Sequence, residues 1–202
     1  MRILALAMAL FLVAACTSVR TTSPGRSTQE LLLISTAADR AAEALAAQVP
    51  PNLTAFVDTS GFAAQDQAYG LAAIEDALLR HGVRLIADRA KADAVILPRT
   101  GVLSTDERQT LLGIPALPTP LTVSSGVTLP PLSLYQETEA KGVAKFAATI
   151  YDPKTGKLIV STSPAYGFSR IDDGVVLFFI TWRNNDLGID LEKNPPRVTA
   201  PK

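Results

Sequence analysis

Few side chains of this chain have the chemistry that catalysis or metal binding requires. The sequence contains one cysteine, Cys16, and one histidine, His81. These two residues leave almost no material for zinc sites, disulfide frameworks, or Cys-His and Ser-His-Asp active sites. No phosphate-binding loop, dinucleotide-binding glycine turn or Gly-x-Ser-x-Gly nucleophile elbow occurs. We therefore predict no catalytic residue, no metal site and no cofactor, and we interpret His81 as a cap at a helix C-terminus.

Carboxylates at predicted strand ends are the remaining candidates for hydrolysis. The turn Asp58-Thr59-Ser60-Gly61 follows a predicted strand and is similar to the Asp-Thr-Gly turn of aspartic proteases. Those enzymes need a glycine directly after Asp-Thr and a second carboxylate that shares a proton with the first. Ser60 takes the glycine position and no second such turn exists, so a structural turn is the favoured interpretation. An envelope hydrolase that uses Asp58 with Asp88 or Asp172 is the least favoured alternative.

The composition predicts one globular domain and argues against binding to nucleic acid. The 202 residues include 19 Lys and Arg, 19 Asp and Glu, and 48% hydrophobic residues. A zero net charge lacks the clustered cationic surface that nucleic acid requires. The high hydrophobic content excludes a largely disordered chain.

The N-terminus has the pattern of a secretory signal peptide. Met1 and Arg2 form a short positive start, and residues 3–15 carry no polar side chain before Cys16. A membrane-spanning helix needs about 20 apolar residues, so this run is too short to span a bilayer. It has the length of the apolar region of a signal peptide, which we assign to residues 1–15.

The segment Leu12-Val13-Ala14-Ala15-Cys16 resembles the lipobox of bacterial lipoproteins. The resemblance implies cleavage between Ala15 and Cys16, and acylation of Cys16, including N-palmitoylation, that anchors the chain in the lipid bilayer. In a cell with two membranes, Thr17 in place of Asp implies the periplasmic face of the outer membrane. Residues 16–26 contain Pro24-Gly25 and few apolar side chains, which predicts a flexible tether.

Two helices are predicted in the mature chain. Ser27-Thr28-Gln29-Glu30 fits a helix-capping box, and apolar residues then recur every three or four positions until Pro50. A second helical pattern covers residues 67–81 and ends at Gly82, a residue that commonly adopts the left-handed conformation after a helix.

Strand patterns occupy most of the remaining chain. We predict strands over residues 53–57, 83–87, 92–102, 143–151 and 157–163. Asp152-Pro153-Lys154-Thr155-Gly156 has the composition of a hairpin loop between the last two. The apolar run Val175-Val176-Leu177-Phe178-Phe179-Ile180-Thr181-Trp182 predicts one strand buried on both faces or against a partner, with a turn at Asn184-Asn185-Asp186.

These elements predict an α/β fold: a mixed sheet of about five strands with two main helices on one face. Residues 78–103 and the hairpin at 151–161 resemble the small α/β domain of the N-terminal domain of TolB and of CsgG and LpoB. The whole chain, through the runs QELLLISTAADRA and LLGIPALP and the hairpin, is similar to an uncharacterised bacterial lipoprotein family. We assign residues 27–192 to a single domain and residues 193–202, with several prolines, to a loose C-terminal tail.

Residues 104–140 do not fit that small domain and are predicted to be a Pro-rich insertion. One interpretation is a lid over the open face of the sheet, and another is an apolar contact surface for a partner or a second copy. The candidate contact residues are Leu111, Leu112, Ile114, Leu117 and Leu121.

Taken together, the sequence predicts a lipid-anchored, non-catalytic interaction or assembly protein of the cell envelope. A subunit of an oligomeric secretion complex is the first alternative, and the hydrolase is the second.

Overall fold

The computed structural model describes residues 27–114, 132–177 and 179–189. The predicted signal peptide, Cys16, the tether and the C-terminal tail lie outside these residues. Two helices and seven strands follow one another in the order α1 (Thr28–Ala46), β1 (Thr54–Val57), α2 (Gln67–Arg80), β2 (Arg84–Leu85), β3 (Ala94–Ile114), β4 (Leu132–Tyr151), β5 (Leu158–Ser161), β6 (Ala165–Val176) and β7 (Ile180–Asn185).

The predicted α/β fold with a mixed sheet is confirmed. The strand order is β2-β1-β3-β4-β6-β7, and β5 pairs with the end of β4. β1 is parallel to both β2 and β3, whereas all later pairs are antiparallel. The sheet has seven strands rather than about five: β6 begins at Ala165, where no strand is predicted, and β7 takes the second part of the single strand predicted over residues 175–182.

Helix α1 lies directly on β4 and β6. Ser27 caps it, since its side chain accepts a hydrogen bond from the Glu30 amide at 3.1 Å, as the sequence predicts. The sheet meets the helix at two glycines: a Cβ on Gly142 would lie 2.3 Å from the Leu33 carbonyl oxygen, and one on Gly167 would lie 1.9 Å from that of Ala37. Only glycine at these positions allows the helix to pack this closely.

Helix α2 packs beside α1 and completes the core on the same face of the sheet. Ile74 and Leu78 of α2 are fully buried. Phe62, in the segment before α2, contacts Phe146 of β4 with ring centroids 5.5 Å apart. The helix ends with His81 as its C-cap, and Gly82 follows with φ +92°, which confirms the predicted helix end.

In its described parts, the predicted insertion continues the sheet. Residues 104–114 extend β3 and residues 132–140 extend β4. The two strands pair from Ser104 opposite Val143 to Ile114 opposite Leu132, with one register shift between Leu112 and Gly113. Helix α1 begins beside Thr105, and the described strand residues further out, which no described helix covers, lack the apolar alternation of a half-buried strand.

The prediction of a single buried strand across residues 175–182 is wrong. Strand β6 ends at Val176, a turn follows in which Leu177 has φ +50°, and β7 begins at Ile180. Asn184 and Asn185, predicted as a turn, belong to β7. By contrast, the hairpin loop between β4 and β5 is confirmed, with Gly156 at φ +69°. Within the described part of the chain, no helix combines the length and apolarity needed to cross a membrane.

Candidate functional site

Four antiparallel strand segments extend beyond the helices at one end of the molecule. We call this part the distal ribbon: residues 106–114 of β3, 132–141 of β4, 170–176 of β6, and β7. Helix α1 begins beside its base, where the hydroxyl of Thr105 donates a hydrogen bond to Glu30 Oε1 at 3.5 Å. No described helix covers the ribbon past this level, so both of its faces are open.

Charged pairs hold the base of the ribbon on both faces. On the face away from the helices, Lys141 Nζ lies 2.9 Å from Glu139 Oε1, and Arg170 bridges Glu139 and Asp172. The Lys141 hydrogen bond and the positive charges of Lys141 and Arg170 lower the pKa of Glu139. On the helix face, Arg183 binds Asp173 through two nitrogens, at 2.6 and 3.0 Å. The base is therefore a charged band held by ion pairs.

An aromatic pair lies next along the ribbon. The rings of Tyr135 and Trp182 are 6.1 Å apart. Trp182 crosses over Gly174, since a Cβ on Gly174 would lie 2.0 Å from the Trp182 ring. The Tyr135 hydroxyl donates to Glu137 at 2.8 Å, and this hydrogen bond raises the pKa of Tyr135. Tyr135 lies in the row of Leu112 and Val176 at the end of the ribbon, and Trp182 lies between that row and the charged band.

The end of the ribbon is an apolar rim. Its members share high exposure: Leu112 64%, Leu134 51%, Leu177 47%, Phe179 76% and Ile180 50%. Backbone pairing makes the rim continuous, since the Leu177 amide donates to the Leu134 carbonyl at 2.9 Å and Ile180 pairs with Val176. Exposed apolar side chains in a contiguous group indicate a contact surface rather than ordinary protein surface.

The predicted contact residues lie partly in this rim. Leu112 is exposed in it, Leu111 is half-buried beside it, and Ile114 is the last residue of β3. Leu117 and Leu121 lie outside the described residues, as do Ala15 and Cys16. Leu134, Phe179 and Ile180 are not among the predicted contact residues. The apolar run at 175–182 carries the signal for Phe179 and Ile180, and the sequence predicts for it a strand buried on both faces or against a partner.

The candidate catalytic carboxylates occupy structural positions. Asp58 caps a short 3-10 turn, accepting from the Ser60 amide at 3.2 Å, and pairs with Arg89 at 3.3 Å. Hydrogen bonds from Ser60 and the charge of Arg89 lower the pKa of Asp58. Asp88 caps the next such turn through the Ala90 amide at 3.0 Å. Asp172, which pairs with Arg170, lies in the distal ribbon.

Asp58 and Asp172 lie in different parts of the sheet, whereas Asp88 precedes Arg89, the partner of Asp58. Asp58 follows β1, where its amide donates to the Ile96 carbonyl at 2.9 Å, whereas Asp172 lies opposite Glu139 on the ribbon. Among the described residues, no three His, Cys, Asp or Glu side chains form a group that could hold a metal ion.

Comparison with known proteins gives a family without an assigned activity. No curated protein matches the chain. The model of one family, described as a family of unknown function (DUF6655), matches residues 13–179. That range contains every helix and strand up to β6 and the whole apolar rim except Ile180. The chain belongs to this family of unknown function, DUF6655.

Proposed function

We propose that this protein is a lipoprotein of the cell envelope, anchored through acylated Cys16 to the periplasmic face of the outer membrane, that acts by binding rather than by catalysis. The lipobox-like segment ending at Cys16 supports the anchor, and the family match begins at residue 13, so Cys16 lies within the matched range. The similarity of residues 78–103 and 151–161 to the TolB, CsgG and LpoB domain supports an envelope role.

The apolar rim of the distal ribbon is the observation that carries a binding function. It exposes five large apolar side chains at the end of a ribbon whose base is charged on both faces. Exposed apolar area of this kind is costly in water and is kept where it contacts something else. The carboxylates that a hydrolase would use are engaged in turn caps and ion pairs.

A second candidate function is that of a subunit in an oligomeric secretion complex. Within the described residues, β3 pairs with β1 only over Ala94–Ile96, and from there to Ile114 its outer edge has no partner strand. A long free strand edge favours pairing with another chain. This observation supports self-association at the side of the ribbon rather than at the rim.

Labelling and photo-crosslinking in cells test the proposal. The wild-type chain should incorporate labelled palmitate and fractionate with the outer membrane, and Cys16→Ala should do neither. A photo-reactive residue at Leu112 should give adducts. One at Leu158 should not: Leu158 is 62% exposed and lies in β5, which pairs with the end of β4 opposite to the ribbon. An unlabelled wild-type chain refutes the anchor, and equal adducts at both positions refute the rim as the binding surface.

A further inference from the structure

The boundary between polar and apolar surface runs across the distal ribbon instead of along one of its faces. Side chains alternate between the faces of a strand. At the rim, Leu112 and Ile180 lie on the face away from the helices, and Leu134 lies on the helix face. A protein that docked on one face would need apolar residues on that face only. Apolar side chains on both faces at one level fit a planar surface perpendicular to the strands.

The ribbon has the layers of a membrane interface. Tyr135 lies in the same cross-strand row as Leu112 and Val176, so it belongs to the level of the apolar rim. Trp182 lies two residues further back, opposite Gly174, and the ion pair Asp173–Arg183 follows on the other face of the ribbon. Tyr and Trp concentrate at the headgroup level of bilayers, with charged residues on the water side. No charged residue occurs in the sequence from 109 to 136 or from 174 to 182.

The length of the apolar end of the ribbon fits shallow insertion into a bilayer. From Glu137 to Leu134 the strand advances about 10 Å, at about 3.4 Å per residue. An interfacial segment buries its apolar part about 5–10 Å into the boundary between headgroups and acyl chains, whereas the hydrocarbon core is about 30 Å thick. The described ribbon therefore has the depth of an interfacial contact.

The chain enters the domain at the same end of the molecule. Ser27 precedes α1, whose first turn lies beside Thr105 at the base of the ribbon. The rim lies about 24 Å further along β3, at about 3.4 Å per residue. Residues 16–27 span at most about 40 Å when extended, so an anchor at Cys16 allows the rim to reach the same membrane.

We propose that the apolar rim binds the lipid surface in which Cys16 is anchored, and that it holds the ribbon upright with the helices and the rest of the sheet facing away from the bilayer. This inference rests on the anchor of the proposed function and names the bilayer as the partner of the rim. Two contacts, one covalent and one through the rim, fix the orientation of the domain, which an anchor on a tether alone leaves free.

The single tryptophan reports on this contact directly. Trp182 is the only tryptophan in the sequence and lies one layer behind the rim. The full lipidated protein is reconstituted in vesicles of phosphatidylethanolamine and phosphatidylglycerol, with lipids brominated near the headgroup or in the middle of the acyl chains. We expect headgroup-proximal bromine to quench the emission of Trp182 at least about twofold, and deep bromine to quench it less.

Variants at exposed positions distinguish a loss of vesicle contact from a loss of folding. Leu112→Asp with Phe179→Asp places two charges in the rim without disturbing buried side chains and should remove the quenching. Leu158→Asp is the matched control, since Leu158 is 62% exposed against 64% for Leu112, and should keep the quenching. Circular dichroism establishes that each variant is folded, and quenching of the wild type tests the proposal even if a variant unfolds.

The outcomes distinguish this inference from the proposed function. If the protein floats with the vesicles but Trp182 is not quenched, the rim does not contact the bilayer, and the proposed anchor at Cys16 is still supported. Crosslinked dimers with an unquenched Trp182 overturn it in favour of an interface between copies. A chain that is not acylated in cells and does not float refutes the anchor, and the inference fails with it.

Discussion

The closest packing in the structure gives a sharp prediction about stability. An alanine at Gly167 would place its Cβ 1.9 Å from the Ala37 carbonyl oxygen and 2.5 Å from the Ala41 amide nitrogen. Ordinary contact requires about 3.5 Å, so α1 would have to move by about 1.6 Å. That shift separates the fully buried Ala37, Ala41 and Leu45 from the sheet. We expect Gly167→Ala to lower the free energy of unfolding by about 3 kcal/mol or more.

Urea unfolding, followed by circular dichroism, measures this effect. Gly101→Ala is the matched control, because its Cβ would meet only the flexible side chain of Lys145, at 3.0 Å. Gly101→Ala should leave stability within about 1 kcal/mol of the wild type. If Gly167→Ala lowers the free energy of unfolding by less than about 1 kcal/mol, α1 does not pack as closely on β6 as the structure shows.

Substitutions at four further positions test separate parts of the structure. Ser27→Ala removes the cap of α1 and should cost about 1 kcal/mol in thermal or urea unfolding, and Ser27→Asp should restore it. Asp58→Asn should destabilise the protein at neutral pH. Because the pKa of Asp58 is lowered on folding, its contribution is present above about pH 4 and fades as the pH falls, so the difference between wild type and variant in urea titrations should shrink as the pH falls below about 4. Gly156→Ala, at φ +69°, should cost about 1–2 kcal/mol in the same unfolding assay. Phe179→Asp, at a position 76% exposed, should change the unfolding free energy by less than about 0.5 kcal/mol and still weaken vesicle contact.

The parts of the fold that the sequence predicts well are those with strong local signals. Ser27 and the apolar spacing of residues 31–49 predict α1, and Gly82 predicts the end of α2. The loop around Asp152 and Gly156 predicts the β4–β5 hairpin, because proline and glycine fix its backbone. In each case the residues that specify the conformation lie within one local stretch of the sequence.

The distal ribbon was harder to predict because its strands are open on both faces. Residues 105–110 of β3 are mostly polar, so they lack the alternation by which a half-buried strand is identified. The run at 175–182 is misleading in the opposite way. It is almost entirely apolar, and such a run indicates a buried strand unless its surroundings are known. Only the register of β4 with β3 and β6 shows that these segments lie side by side and place Leu112, Leu134 and Ile180 at one end.

Hydrogen exchange tests most directly the proposal that the apolar rim is the surface through which this protein acts. Exchange is compared between the lipidated chain on vesicles and the Cys16→Ala chain in solution. We expect the backbone amides at the described ends of the ribbon, around Leu112, Leu134 and residues 175–182, to exchange more slowly on vesicles. Exchange in α1, α2 and β5 should be unchanged. Equal exchange at the ribbon ends in both samples, or added protection confined to the helices, would contradict it.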